Sequence, residues 1–102
     1  MASPDKLDKE PYESRLYDFD FSAKLLNGAV ISSVDSITAT AMGNVAGAVA
    51  LTVSNITFTT TRVQVRLAGG TDGEDYHIDC RVIDSPNGNK LEANGILRVR
   101  EI

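Results

Sequence analysis

Tryptophan is missing from this 102-residue chain, and cysteine and histidine occur once each, as Cys80 and His77. A lone cysteine rules out an internal disulfide, and its place on the apolar side of a strand-like segment makes it a small buried hydrophobe. The histidine lies on the polar side of the same segment. Three positions apart on a strand, the two side chains face opposite ways and cannot form a Cys-His pair. With neither CxxC nor HxxxH spacing, the usual zinc frameworks are excluded. Aromatic residues make up only 6% of the chain, so a core has to be filled by Val, Ile, Leu and Ala. No apolar run reaches the ~18 residues of a membrane span, and no basic segment leads into an apolar stretch, so neither a membrane span nor a secretory signal is expected. The chain is then expected to be made and to fold in the cytoplasm, where the sequon Asn55-Ile56-Thr57 would carry no glycan. A net charge of −4, from 14 acidic and 10 basic residues, disfavours attraction to a phosphate backbone. Neither nucleic acid nor a membrane is an expected partner.

What the chain has is alternation. In Arg62–Leu67, Val63, Val65 and Leu67 share one face while Arg62, Gln64 and Arg66 share the other. The pattern recurs, with Tyr76, Ile78, Cys80 and Val82 opposing His77, Asp79 and Arg81, and again with Leu91, Ala93, Leu97 and Val99 opposing Glu92, Asn94, Arg98 and Arg100. A period of two with one apolar side is the signature of antiparallel strands that bury one face and wet the other. Upstream, Tyr17, Phe19 and Phe21 alternate with Asp18, Asp20 and Ser22 in a first strand from Leu16, and Asn27-Gly28 supplies a tight turn into a strand over Val30–Thr40. Ala41–Ala48 is rich in small residues and reads as a loop; short strands are expected at Ala50–Ser54, Thr57–Thr59 and Thr61–Ala68.

About seven antiparallel strands in roughly 100 residues predict an all-β fold, an immunoglobulin-like β-sandwich. Residues 16–102 form that domain. Residues 1–15 carry Pro4, Pro11 and a dense mix of charges with few apolar groups, and are expected to be a flexible charged arm. Ser85-Pro86-Asn87-Gly88-Asn89 is a hairpin connection before the last strand. Gly69, Gly70 and Gly73 lead into Tyr76, whose ring can pack inward while its hydroxyl bonds upstream backbone, as in the tyrosine corner of Greek-key sandwiches.

No constellation in the chain points to catalysis, and no cofactor is implied. Asp18 with Asp20, and Asp72 with Glu74 and Asp75, offer oxygen ligands, but without EF-hand spacing they read as solvated turn and surface acids rather than a calcium site. Arg62, Arg66, Arg81, Arg98 and Arg100 fall on outward strand faces and are the candidate interface, because the planar guanidinium pairs with carboxylates and stacks on rings. They need not form one patch, since the strands concerned can belong to different sheets.

The strings Tyr17-Asp18-Phe19-Asp20-Phe21-Ser22, Ile31-Ser32-Ser33, Leu51-Thr52-Val53, Leu67-Ala68-Gly69-Gly70-Thr71-Asp72-Gly73-Glu74-Asp75-Tyr76 and Leu97-Arg98-Val99 resemble small virion proteins of tailed bacteriophages, the fiber-tail adaptor or tail-associated structural proteins. The resemblance runs from about Tyr17 to Glu101, and the Gly-Gly-Thr-x-Gly-x-x-Tyr element is its most specific part. It implies a non-enzymatic structural protein of a phage or prophage particle. Such a protein joins tail and fiber or neck components through protein–protein contacts, with other virion proteins and further copies of itself as partners. Loops Ala41–Ala48 and Gly69–Asp75 and the N-terminal arm are the expected contact regions. A receptor- or carbohydrate-binding module is the alternative, and would expose aromatic platforms that these mostly inward-facing rings do not predict.

Overall fold

The computed structural model describes residues 5–101, all in strands and connecting segments with no helix. Seven strands follow in chain order: β1 (Asp5–Lys9), β2 (Ser14–Asp20), β3 (Val30–Ala41), β4 (Leu51–Phe58), β5 (Arg62–Gly69), β6 (Asp75–Ser85) and β7 (Lys90–Val99). They form two sheets, of order β1-β7-β6-β3 and β2-β5-β4. All neighbours are antiparallel except β1 and β7, which run parallel. Immunoglobulin domains likewise place their second, fifth and fourth strands in one sheet and their third, sixth and seventh in the other. The likeness is one of strand order.

The inner faces meet in a core that follows the period of two. Val63, Val65 and Leu67 of β5 and Tyr76, Ile78, Cys80 and Val82 of β6 are fully buried, with Phe19, Leu97 and Val99 from their neighbours. Phe21, just past β2, is also fully buried, and its N–H donates to the Thr61 carbonyl at 2.8 Å. Asn27 and Gly28 both take positive φ, and the Ala29 N–H closes the turn onto Leu26 at 2.9 Å. Two positive φ angles at the centre of a four-residue turn are what the tight Asn-Gly connection requires.

Three expectations change. Residues 1–4 lie outside the described part, and within the rest of the expected arm there is a strand, β1. Asp5–Lys9 pairs with Gly95–Val99, and β2 begins at Ser14 rather than Leu16. The charges do not prevent this, because β1 is an edge strand. Leu7, opposite Leu97, packs on the core, and Lys9, opposite Val99, buries its stem. The Lys9 ammonium reaches the carbonyls of Glu10 and Pro11 at 2.6 and 3.3 Å. Second, the strands expected at Ala50–Ser54 and Thr57–Thr59 are one strand, β4, with a register shift between Ser54 and Thr57 and Asn55 at positive φ. An extra residue in one strand reverses which parity faces inward, and the sequence reads across that reversal as a break. Third, the strand expected from Leu16 to Ser22 is β2, and it ends at Asp20, before Phe21 and Ser22.

Candidate functional site

The register gathers the expected contact regions at one end of the sandwich. Lys9 pairs with Val99, Ala41 with Tyr76, Leu51 with Gly69 and Ser14 with Ala68. The β1–β2 turn, the β3–β4 loop, the β5–β6 loop and the residues after β7 therefore share that end. The β2–β3, β4–β5 and β6–β7 connections occupy the other.

Two buried side chains pin these loops. The Tyr76 ring is fully buried; its hydroxyl donates to the Val49 carbonyl at 2.5 Å and accepts the Thr71 N–H at 3.0 Å, joining the β3–β4 loop to the β5–β6 loop. Thr71 Oγ1 in turn accepts the Val49 N–H at 3.0 Å. Gly70, at φ +96°, lets the backbone pass this corner. A Cβ there would sit 3.0 Å from Leu51 Cδ2 and Val99 Cγ2.

Glu74 is the second pin. Its carboxylate is fully buried and accepts the N–H groups of Asp75 (2.9 Å), Asn44 (3.0 Å) and Val45 (3.2 Å). Burial alone would raise the pKa of such a group. The backbone donors of Asn44, Asp75, Val45 and Gly43 outweigh it and hold the carboxyl below its ordinary value. Asp75 adds a bond from Asn44 Nδ2 at 3.1 Å and an N–H from Met42 to its carbonyl at 2.9 Å. Glu74 is thus not a solvated turn acid. It is an internal carboxylate that fixes the path of residues 42–45. No group of three or more His, Cys, Asp or Glu side chains able to hold a metal exists among the described residues.

With its backbone held from inside, this end presents apolar side chains outward: Met42 is 51% exposed, Val49 57% and Tyr12 98%. Beside the β1–β2 turn lies an open groove of about 310 Å³ lined by Asp8, Lys9, Glu10, Glu13, Arg15, Arg98 and Arg100.

The five arginines do not meet. Arg62 and Arg66 lie on the outer face of the β2-β5-β4 sheet, Arg81 and Arg98 on that of the other sheet, and Arg100 beyond β7. Four have local partners. Arg62 Nη2 is 3.5 Å from Asp20 Oδ2, Arg66 Nη1 donates to the Ser14 carbonyl at 3.2 Å, and Arg81 Nε donates to Glu92 Oε1 at 2.7 Å. Arg100 Nη2 makes an ionic contact with Asp75 Oδ1 at 2.9 Å, while its Nη1 donates to the carbonyls of Glu74 and Val99. It braces the Glu74 turn. Among the described residues Arg66 and Arg98 have no ion pair, and Arg98 and Arg100 line the groove.

His77 stands on the outer face, 3.5 Å from Asp79 Oδ1, and Cys80 is fully buried, its thiol pushed by burial up to about 12. Sequence reasoning overlooked Glu74 and Asp84 as buried groups. Asp84, 3% exposed, accepts the Asn89 N–H at 2.8 Å and ties the β6–β7 connection. The signal was available: continuing the even-numbered inward parity of Tyr76–Val82 by one step each way reaches Glu74 and Asp84.

A family model described as "Podophage GP4 fiber-tail adaptor protein gp77" matches residues 9–98, from the end of β1 to the end of β7. No curated protein and no solved structure matches the chain.

Proposed function

The chain belongs to the podophage GP4 fiber-tail adaptor family, and on that premise we propose that it is a non-enzymatic virion component whose loop end grips a neighbouring tail, fiber or neck protein. The observation that carries this reading is the Glu74 and Tyr76 bonding under the β3–β4 loop, which holds Met42 and Val49 exposed on a fixed backbone. Binding orders loops at an entropic cost, and a loop already ordered from within avoids most of it. The mixed-sign groove beside it, with Arg98 and Arg100 facing Asp8, Glu10 and Glu13, suits a charged polypeptide better than a uniformly anionic polymer. Nucleic acid and membrane are not partners in this reading, and further copies of the chain are. The protein is made in the host cytoplasm and acts in the particle.

The carbohydrate-binding alternative is weaker. Stacking platforms need ring faces side by side, whereas the exposed rings Tyr12 and Phe58 sit at opposite ends of the sandwich.

The test is a pull-down from phage lysate with the protein tagged at its N-terminus, run beside a Met42→Asp/Val49→Asp variant of unchanged thermal stability. Recovery of tail, fiber or neck proteins, reduced at least tenfold by the double substitution, supports the reading; loss of about 1.4 kcal/mol of binding suffices for that. Equal recovery by both proteins, or recovery of no virion protein, overturns it.

A further inference from the structure

The two sheets end in four edge strands, β1 and β3 on one and β2 and β4 on the other. Folded proteins keep such edges from pairing with other chains by shortness, charge, proline or bulges. Three of the four follow this rule. β1 is five residues long and four of them are charged, β2 carries Arg15, Asp18 and Asp20, and β3 has two register irregularities and Asp35. The fourth has the least protection. β4, Leu51-Thr52-Val53-Ser54-Asn55-Ile56-Thr57-Phe58, contains no charge and no proline, and carries only one bulge, at Asn55–Ile56. Ile56 and Phe58 on it are each 45% exposed.

The order of residues in β4 is also self-complementary. Read in either direction it runs apolar, polar, apolar, polar, polar, apolar, polar, apolar. Antiparallel pairing about a two-fold axis between Ser54 and Asn55 sets Leu51 against Phe58 of a second copy, Thr52 against Thr57, and Val53 against Ile56. Residues directly opposite in an antiparallel pair lie on the same face and within side-chain contact. The bulge keeps that match. Before it Leu51 and Val53 face the core, as their pairing with Gly69 and Leu67 requires, and after it Phe58 pairs with the buried Val63. The bulged residues Asn55 and Ile56 of each copy then flank the axis, opposite Ser54 and Val53 of the other copy.

We infer that β4 is a homotypic docking edge, through which two copies join their three-stranded sheets into one six-stranded sheet. Isologous contact of this kind needs one surface to complement itself, which the β4 pattern does. The area of one eight-residue edge pair is small beside the roughly 1,200–2,000 Å² of ordinary stable interfaces, so the dimer is weak and depends on concentration. Self-pairing through β4 goes beyond the adaptor reading and stands independently of what the loop end binds.

The test uses sedimentation velocity of the full chain from about 10 μM to about 1 mM, with Ile56→Lys as the variant, since a lysine on an exposed edge is a natural block to pairing. Register is read separately by mixing Thr52→Cys with Thr57→Cys, both at exposed positions, under mild oxidation. The buried Cys80 stays out of the reaction. The expected result is a concentration-dependent dimer, lost in Ile56→Lys, and a disulfide formed at least tenfold faster in the mixture than in either cysteine variant alone. A protein that stays monomeric to 1 mM, a dimer that survives Ile56→Lys, or cysteine variants that cross-link as fast alone as together would overturn the inference.

Discussion

Replacing Tyr76 by Phe removes one oxygen from the interior and leaves the ring where it is. That oxygen carries two hydrogen bonds, one to the Val49 carbonyl and one from the Thr71 N–H. An intramolecular hydrogen bond contributes about 1 ± 0.5 kcal/mol net, and a buried group left without its partner costs about 1–3 kcal/mol. Val49 and Thr71 are not themselves fully buried, so water can take over part of the bonding. The expected loss is therefore about 2 kcal/mol. For a domain of this size each kcal/mol moves Tm by roughly 4–8 °C, which gives a fall of about 8–16 °C in calorimetry. In urea the midpoint should drop while the slope stays unchanged, because the native state buries the same surface. Amide exchange at Thr71 should accelerate well beyond the global change, since its N–H loses its acceptor. Tyr17→Phe is the control, as its hydroxyl bonds the Asp8 carbonyl in an exposed setting and should cost no more than about 0.5 kcal/mol. A Tyr76→Phe protein within about 0.5 kcal/mol of the parent would refute the claim that this hydroxyl holds the two loops together.

Glu74→Gln should separate from the parent in pH-dependent melting: a carboxyl whose folded pKa is depressed contributes stability above its unfolded value near 4.5, and loses it as pH falls through the folded pKa. The gap between the two proteins should be constant at neutral pH and close progressively below that value; a gap that widens in acid would contradict the assignment. Gly70→Ala should cost about 2–4 kcal/mol in urea unfolding, combining positive φ with a Cβ pressed against Leu51 and Val99. Gly88→Ala, also at positive φ but with open space around it, should cost only about 1–2 kcal/mol, and equal losses at the two sites would remove the packing argument. Cys80 should resist thiol reagents at pH 8 in the native protein and react at once in denaturant, as a thiol buried to a pKa of about 12 must.

The strands that meet in the core were the legible part of this sequence. β5, β6 and β7 each bury one parity, and that parity is written in Val63-Val65-Leu67, Tyr76 to Val82, and Leu97 with Val99. Legibility failed wherever a local rule was overridden. β4 has a bulge that inverts its parity after Ser54, so one strand looked like two. β1 looked too charged to form a strand, because composition cannot show that Leu7 and Lys9 turn inward. The expected seven strands and the observed seven coincide in number while differing in membership. The site was less legible than the fold. Tyr76 and the glycines before it carry a local signal, but Glu74 is set apart from Asp75 only by parity, and from Asp72, which shares its parity, only by lying next to the start of β6. The separation of the arginines depends on which sheet each strand joins, which no single segment encodes.

The parallel run of β1 beside β7 has a practical consequence for anyone attaching something to this protein. Asp5 lies opposite Gly95, four register steps or about 13 Å back from Val99 and so back from the loop end. Glu101, by contrast, is bonded through its N–H to Asp72 within that end. A fluorophore or affinity handle placed at the Asp5 end of β1 stands back from the loop end, while the same handle placed after Glu101 is planted in the middle of it.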